Sequence, residues 1–371
     1  MPQINPDVET FARIKVVGIG GSGGHAIGRM IKNKIHGVDF IAVNTDAQDL
    51  HHSQAPTKVH IGKNLTRGLG SGMNPDVGRQ AAEENRDEIQ EIIKGSDMVF
   101  VTCGLGGGTG SGAAPIIAEA ARNANALTVA VITKPFSFEG VQRSRIADEA
   151  WQQLRDKVDA IITIPNDKLL HLIDKNTTLL EAFGVVDDVL RHAVQGISDL
   201  ITMPGVVNVD FADVRAIMQE TGSAIMGIGR ATGEDRAVEA AKMAINSPLL
   251  EISMEGARGV LFNVSGGEDL TMSDVNEAAK VITENLDPEA KIIFGAVHDA
   301  KLKKGEVKVT VIATGFPNGG KSYVAQDEDE TPQKVKVTRP PQKIETKVRG
   351  EEDSEDSSYL DIPAFIRRKM R

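Results

Sequence analysis

The sequence predicts an α/β protein: a doubly wound parallel sheet, a long central helix, a smaller α/β domain beyond it and a disordered tail. Three observations carry this. From about residue 13, short apolar runs alternate with amphipathic segments of helical length, the order that folds as βαβ units. Two of the strand-to-helix turns are glycine-rich, as the turns at the switch point of such sheets are. A long apolar-periodic segment then separates these units from a second alternation of strands and helices.

The runs RIKVVGI, VDFIAVN, DMVFVTC, LTVAVIT and DAIITIP are β-branched or apolar almost throughout, as parallel strands covered on both faces are. Helical segments at 75–94 and 140–156 lie between them. Residues 178–203 repeat apolar side chains at helical spacing and end at Pro204-Gly205, a good helix stop. Beyond it the pattern predicts helix 211–220, strand 223–229, helix 234–246, strand 259–265, helix 273–286 and strands 291–297 and 307–314. The expected organisation is a first domain over 1–177, a connecting helix over 178–203, a second domain over 204–317, a linker over 318–359 and a terminal peptide over 360–371.

Composition excludes several classes. The 371 residues are 40% hydrophobic and 25% charged, enough for two domains with real cores. No apolar run approaches the ~18 residues of a membrane span. The opening MPQINPDVETFARIK lacks a basic patch leading into an apolar stretch, so no signal peptide is expected. A single cysteine, Cys103, allows no internal disulfide, and no His/Cys cluster has zinc spacing. A cytosolic protein is expected. Residues 318–371 hold eleven charges of each sign, so the net −10 belongs to residues 1–317. Such an acidic globular part is a poor nucleic-acid binder.

The linker mixes prolines, charges and Ser/Thr with few large apolar residues, too few to offset ordering entropy. As a flexible chain it spans roughly 35–40 Å r.m.s.. The end, YLDIPAFIRRKMR, regains Leu360, Ile362, Phe365 and Ile366 and carries four basic residues against one acid over 360–371. It reads either as a docking motif on a tether or as a solvated tail with stray apolar residues.

Three glycine motifs need weighing. Gly18-Ile-Gly20-Gly-Ser-Gly23 follows a strand and opens a helix, a context that suits a pyrophosphate at a helix N-terminus. An NAD site would want an acid at the end of the second strand, where Asn44-Thr45-Asp46 stands; the fit is loose. Gly315-Phe-Pro-Asn-Gly-Gly320-Lys321-Ser322 matches a P-loop literally, yet YVAQDEDETPQK follows it instead of a helix. The match is therefore read as chance. The third motif, CGLGGGTGSGAAP over 103–115, packs five glycines into the seven positions 106–112. Its freed backbone amides, with the Thr109 and Ser111 hydroxyls at a helix start, make an anion cradle.

GGGTGSG, NTDAQ, KPFSFEG, IPNDKLL and NVDFADVR, in their relative places along the chain, resemble FtsZ, the bacterial tubulin-like cell-division GTPase family. The resemblance covers about Arg13 to Phe316, and DIPAFIRRKMR is similar to that family's C-terminal partner-binding peptide. It implies a tubulin-like fold and GTP/GDP as ligand, bound by Gly20, Gly21, Ser22, Gly23, Gly24 and His25 in one loop and Gly104, Gly106, Gly107, Gly108, Thr109 and Gly110 in another. Asn44, Thr45 and Asp46 would lie beside the nucleotide, Glu139 and Arg143 at ribose and phosphate, and Asn166 and Asp187 at the guanine edge. A carboxylate accepting from guanine N1–H and the 2-amino group would separate G from A. Read alone, Glu139 could equally cap a helix near Gly140, and Arg143 could pair with Glu139 or Asp148. His25 departs from the family, which usually has Asn there.

Asn208-Val-Asp210-Phe-Ala-Asp213 is the catalytic candidate the resemblance implies. Its two carboxylates, three apart at a helix start, could position a water or simply cap the helix. The 17 residues from Asp187 to Pro204 span ~25 Å as helix. If Asp187 touches the base, Asp210 can hardly reach the γ-phosphate of the same molecule. Hydrolysis then implies a head-to-tail neighbour, and a heterologous contact that does not close makes a filament. The resemblance implies the same: a homopolymer forming the cytokinetic ring scaffold at mid-cell, tied to membrane-tethering and regulatory division proteins through residues 360–371 and to the membrane only indirectly. Mg²⁺ is expected with the triphosphate, held mainly by phosphates and water. The competing reading is an NAD-dependent oxidoreductase built on the first glycine turn.

Overall fold

The computed structural model describes residues 12–170, 177–202, 207, 209–247, 254, 256–284, 286–299 and 302–316. Asn208, the literal P-loop match beyond Phe316, the linker and the terminal peptide lie outside the described residues.

The first half builds β1 (Ile14–Ile19), α1 (Gly20–Lys32), β2 (Val38–Asn44), α2 (Ala47–His52), β3 (Thr57–His60), α3 (Lys63–Thr66), α4 (Pro75–Glu84) and α5 (Arg86–Ile93). It continues with β4 (Met98–Gly104), α6 (Thr109–Asn123), β5 (Leu127–Lys134), α7 (Val141–Arg155), β6 (Ala160–Pro165) and α8 (Asn166–Leu169). After α9 (Leu179–Thr202) come α10 (Phe211–Met218), β7 (Gly222–Thr232), α11 (Arg236–Ile245), β8 (Gly259–Gly266), α12 (Met272–Thr283), β9 (Lys291–His298) and β10 (Glu306–Thr314).

The strands join in one sheet, ordered β3-β2-β1-β4-β5-β6-β7-β10-β8-β9. From β3 to β7 every pairing is parallel, whereas β10 runs antiparallel to both β7 and β8. The two halves meet where Ala160, Ile161 and Ile162 pair with Gly222, Ser223 and Ala224. Strand order reverses between β1 and β4, which leaves a crevice at their carboxyl ends.

Each face of the parallel sheet is buried. On one, Ala26, Ile27 and Met30 of α1 and Val186, Leu190, Val194 and Ile197 of α9 pack over the strands, in a core that runs on to Val214 and Met218 of α10. The other is covered by Ala81, Ile89, Ile117 and Leu154 of α4, α5, α6 and α7. A third cluster lies between α11, α12 and the strands β7, β8 and β10. These are the strands whose continuous apolar character the sequence displays.

The departures from the sequence reading are local. The single helix expected over 75–94 is split at Asn85, which ends α4 and precedes α5 in a non-helical conformation. Its Oδ1 accepts from Gly62 N at 2.9 Å, the local competition with the backbone that asparagine offers. The elements α2, β3, α3 and α8, of four to six residues, are too short for any periodicity to register. Helix α10 stops at Met218, with Gln219 extended and Glu220 at φ 55.

One buried ion pair ties the second half together. Arg236, buried at the start of α11, donates to both Asp274 oxygens at 3.1 and 2.8 Å and to Asp269 at 2.6 Å. Hydrogen bonds from Arg236 hold the Asp274 carboxyl down at about 2. A carboxyl whose pKa is lower folded than unfolded contributes stability above its unfolded value, near 3.9, and loses it as pH falls toward the folded one. Wild-type stability should therefore drop between about pH 4 and pH 2. Asp274→Asn should cost about 3 kcal/mol at neutral pH, because Arg236 loses its main partner, and should flatten that acid limb in denaturant titrations.

Candidate functional site

The two glycine turns converge. Gly104 N at the end of β4 donates to Ser22 Oγ in α1 at 2.7 Å. A Cβ on Gly20 would stand 3.2 Å from Gly110 N. The N-termini of α1 and α6 thus open into one cleft of about 810 Å³ at the carboxyl ends of the parallel strands. Free N–H groups and helix dipoles at two converging N-termini favour a polyanion there.

The walls include Gly20, Gly21, Ser22, His25, Asn44, Asp46, Gly104, Gly107, Gly108, Thr109, Gly110, Glu139, Arg143, Asn166 and Asp187. Four other expected residues do not line it. Gly23 sits on the buried face of α1, where a Cβ would stand 2.5 Å from Thr102 O. Gly24 faces a smaller neighbouring cavity of about 390 Å³. Gly106 has φ +96 and turns the loop. Thr45 is fully buried, its hydroxyl 2.8 Å from that of Thr109.

The five-glycine run divides between two roles. A Cβ on Gly107 meets nothing within 4 Å, so this residue faces the open cleft. A Cβ on Gly108 would collide with Ser71 Oγ and stand 2.7 Å from Asn74 N, and one on Gly112 would stand 2.6 Å from Arg79 N. These glycines let α6 lie against α4 and the turn before it; the crowding partner is the chain itself. Ser111 is likewise no cradle residue: it is buried, and its Oγ accepts from Gly106 N at 3.0 Å.

The polar side chains around the cleft are mutually braced. Asn44 donates to Asp49 Oδ2 at 2.7 Å and accepts from Asp46 N at 3.2 Å. Asp46 caps α2, accepting from Gln48 N and Asp49 N. Glu139 accepts from Phe136 N at 2.9 Å and from Arg143 Nη1 at 2.6 Å. The Glu139–Arg143 pairing left open by the sequence is therefore made, and both residues still face the cleft. His25 is exposed, 3.9 Å from Asp49 Oδ1. Asp187 is half-buried, and desolvation pushes its carboxyl up against the opposing pull of Arg29 and His25. Asn166, 5% exposed in the cleft wall, has an Oδ1 without any hydrogen-bond partner among the described residues. A buried orphan acceptor is costly, and a ligand donor would satisfy it.

The sequence reading did not single out Ser71, Asp49, Thr133 or Phe183, which also line the cleft. Ser71 and Thr109 hydroxyls lie 2.9 Å apart. Phe183, 41% exposed, meets Phe136 edge-on at 5.7 Å, and Phe136 stacks on Phe138. Phe183 on the periodic helix α9 looks like a core position; its exposure was the missing signal.

Asp210 and Asp213 lie elsewhere. They form a reciprocal capping box on α10, Asp210 accepting from Ala212 N and Asp213 from Asp210 N. Arg215 donates to Asn125 O at 2.8 Å, beside the amino end of β5. Just past α10, Glu220 reaches Arg122 at the C-terminal end of α6. Helix α10 therefore sits at the amino ends of the strands, whereas the cleft opens at their carboxyl ends. The eight residues of β5 between the two span roughly 25 Å.

Fold and cleft together define an α/β protein built to hold a polyanion at the switch point of its sheet. Residues 13–174 match the model of the Tubulin/FtsZ family GTPase domain, and residues 222–317 that of the FtsZ family C-terminal domain. A solved empty FtsZ dimer from M. jannaschii is 48% identical, with 82% of this chain and 89% of that one covered at a TM-score of 0.79. A point mutant of FtsZ from the same organism is also 48% identical, covering 83% and 92% at 0.80. A GTPγS-bound CetZ2 protofilament from Haloferax volcanii, 20% identical over 81% and 92% at 0.69, shares the fold. The chain belongs to the FtsZ family of tubulin-like GTPases. Its GTPase domain implies GTP/GDP binding, and the oxidoreductase reading of the first glycine turn falls.

The division of the glycine run is testable. Gly107→Ala should leave stability within about 0.5 kcal/mol of wild type but weaken GTP binding. Gly108→Ala should cost about 1–3 kcal/mol through overpacking. Denaturant unfolding without nucleotide, beside a binding titration, separates the two.

Proposed function

We propose that this protein polymerises head to tail with GTP in the cleft, and that Asp210 and Asp213 of one copy complete hydrolysis at the cleft of the next. The observation that carries this is the separation just described: cleft and acidic pair sit at opposite ends of one parallel sheet. A copy stacked on the cleft end would bring its own amino-end face, with both aspartates, over the nucleotide. Such a contact is heterologous and open-ended, so it repeats into a filament.

Within one copy, the N-termini of α1 and α6 would hold the phosphates, with Gly107 admitting close approach of the backbone. Glu139 and Arg143 would orient the ribose and α-phosphate region. Asn166 and Asp187 would read the guanine edge, and Phe183 offers a face for the base. From the neighbour, Asp210 and Asp213 would hold and polarise the attacking water. Among the described residues no group of three or more His, Cys, Asp or Glu is placed to hold a metal. Mg²⁺ would therefore be held by phosphates and water, and it supplies charge neutralisation when bound.

The cellular reading is a cytoplasmic filament at the division site that scaffolds the cytokinetic ring. Residues 360–371 would dock on a membrane-tethering or regulatory division protein. Ile362, Phe365 and Ile366 are spaced for one helical face, as helix-in-groove recognition requires.

Asp210→Asn and Asp213→Asn keep capping geometry, since asparagine caps as well as aspartate at the first position and its Oδ1 can still accept from Asp210 N at the second. Each should leave GTP binding by dilute monomer unchanged while phosphate release falls by at least about tenfold, a loss of ~1.4 kcal/mol in transition-state stabilisation. Loss of monomer binding would mean that the acidic pair acts within its own subunit. In wild type, phosphate release should rise more steeply than linearly with protein concentration near an assembly threshold. Constant specific activity far below any threshold would mean that each monomer carries a whole site.

Deleting residues 360–371 should preserve GTP-dependent sedimentation and abolish binding to the tether, with Phe365→Ala doing most of the same damage. Pure lipid attraction, worth ~1 kcal/mol per basic residue, would instead survive Phe365→Ala.

A further inference from the structure

Beside the cleft, helix α1 crosses the start of α9, and one side chain of α1 reaches the carboxylate assigned to the base. Arg29 Nε donates to Asp187 Oδ2 at 3.2 Å, while Asp187 Oδ1 takes no hydrogen bond among the described residues. The guanidinium is held from a second side, its Nη1 lying 3.7 Å from Asp188 Oδ2. Asp188 is itself fixed by Arg191 Nε at 3.1 Å. Arg29 is therefore not a free surface arginine that happens to touch an acid.

Helix α9 is shaped to admit it. Gly184 lies inside that helix, where glycine costs about 1 kcal/mol relative to alanine. A Cβ there would stand 2.7 Å from Arg29 Nη2. The notch at Gly184 is what lets the guanidinium lie beside Asp187.

We propose that Arg29 is the positioning residue for base selection: it pins one oxygen of the Asp187 carboxylate so that the other is presented to the purine. This rests on the reading of the cleft as a GTP site. Guanine offers two donors on one edge, N1–H and the 2-amino group, and only an ionised, correctly turned carboxylate accepts both. An unpinned Asp187 could rotate, or take up a proton and become a donor on one oxygen.

Electrostatics acts in the same direction. Desolvation raises the Asp187 carboxyl and Asp188 on its own helix adds to this, while Arg29 and His25 on α1 pull it down. Asp49 of α2 lies on the other side of His25, 3.9 Å from its ring. Without Arg29 the carboxyl protonates at higher pH. Binding that needs the carboxylate would then fail earlier as pH falls.

The experiment uses the full chain at concentrations too low for assembly, and titrates GTP, ITP (which lacks the 2-amino group) and ATP from neutral to mildly acidic pH. Arg29→Gln should weaken GTP binding roughly tenfold, the worth of one hydrogen bond to a charged group. It should narrow the GTP/ITP ratio and move the acid limb of GTP binding to higher pH. Arg29→Lys should restore most of the pH profile, having the charge without the planar fork. Gly184→Ala, which leaves Arg29 in the chain but fills its notch, should move affinity and ratio the same way by less. The proposal is overturned if Arg29→Gln binds GTP like wild type across the pH range. It is equally overturned by a loss of the same size for all three nucleotides that does not change with pH, since that would make Arg29 a packing or phosphate residue. A wild-type protein with no preference for GTP over ATP would sink the GTP reading of the cleft itself, a result distinct from either.

Discussion

The cleft depends on how closely α1 approaches the sheet between β1 and β4. A Cβ on Gly18 would collide with the Gly23 carbonyl, and one on Gly23 would stand 2.5 Å from Thr102 O and 2.9 Å from Gly18 C. With no side chain at either position, the first turn of α1 settles directly over β4. That contact brings Ser22 to Gly104 N and Gly20 to the first turn of α6. Two helix N-termini then share one opening, and their unpaired N–H groups add where a single terminus would offer half as many. An alanine at Gly23 would lift α1 and pull the two loops apart.

A parallel sheet has two unlike ends, and different features gather at each. Its carboxyl ends carry the turns that face the cleft; its amino ends carry the return loops and, beside β5, the capped start of α10. Helix α9 runs alongside both, with Asp187 in the cleft wall near its beginning and Leu200 packed in the same core as Val209 and Val214 near its end. Because that core continues from α1 through α9 to α10, the cleft and the start of α10 are held by close-packed side chains rather than by a flexible hinge. The proposed pairing of one copy's aspartates with another's cleft needs that fixed spacing.

Several of the acidic side chains also have a structural partner. Asp46 and Glu139 satisfy backbone donors, and Asp210 and Asp213 cap α10. Of the plainer roles the sequence allowed, the capping of α10 by Asp210 and Asp213 and the Glu139–Arg143 pair are made, whereas α7 starts after Gly140 without a side-chain cap. Asn166 differs. Its buried Oδ1 takes no hydrogen bond among the described residues, and in the cleft wall such an acceptor is one that a bound ligand can satisfy.

What the sequence by itself determined was everything encoded locally. Continuous apolar runs marked β1, β2, β4, β5 and β6, helical spacing marked α9, and glycine turns marked where a polyanion could approach. These signals are short-range: a strand buried on both faces must be apolar along its length, and a helix must repeat at its own period. Tertiary structure alone decided which glycine serves which neighbour. Gly107 faces the cleft while Gly108 and Gly112 admit α4 and its preceding turn, although all three stand in one run of the same residue. It also split the helix at Asn85, turned Phe183 of a core-like helix toward the cleft, and set Arg29 against Asp187 across 158 positions. Contacts between residues so far apart leave no periodic trace in either segment, because each depends on the packing of elements whose own sequences are silent about their partner.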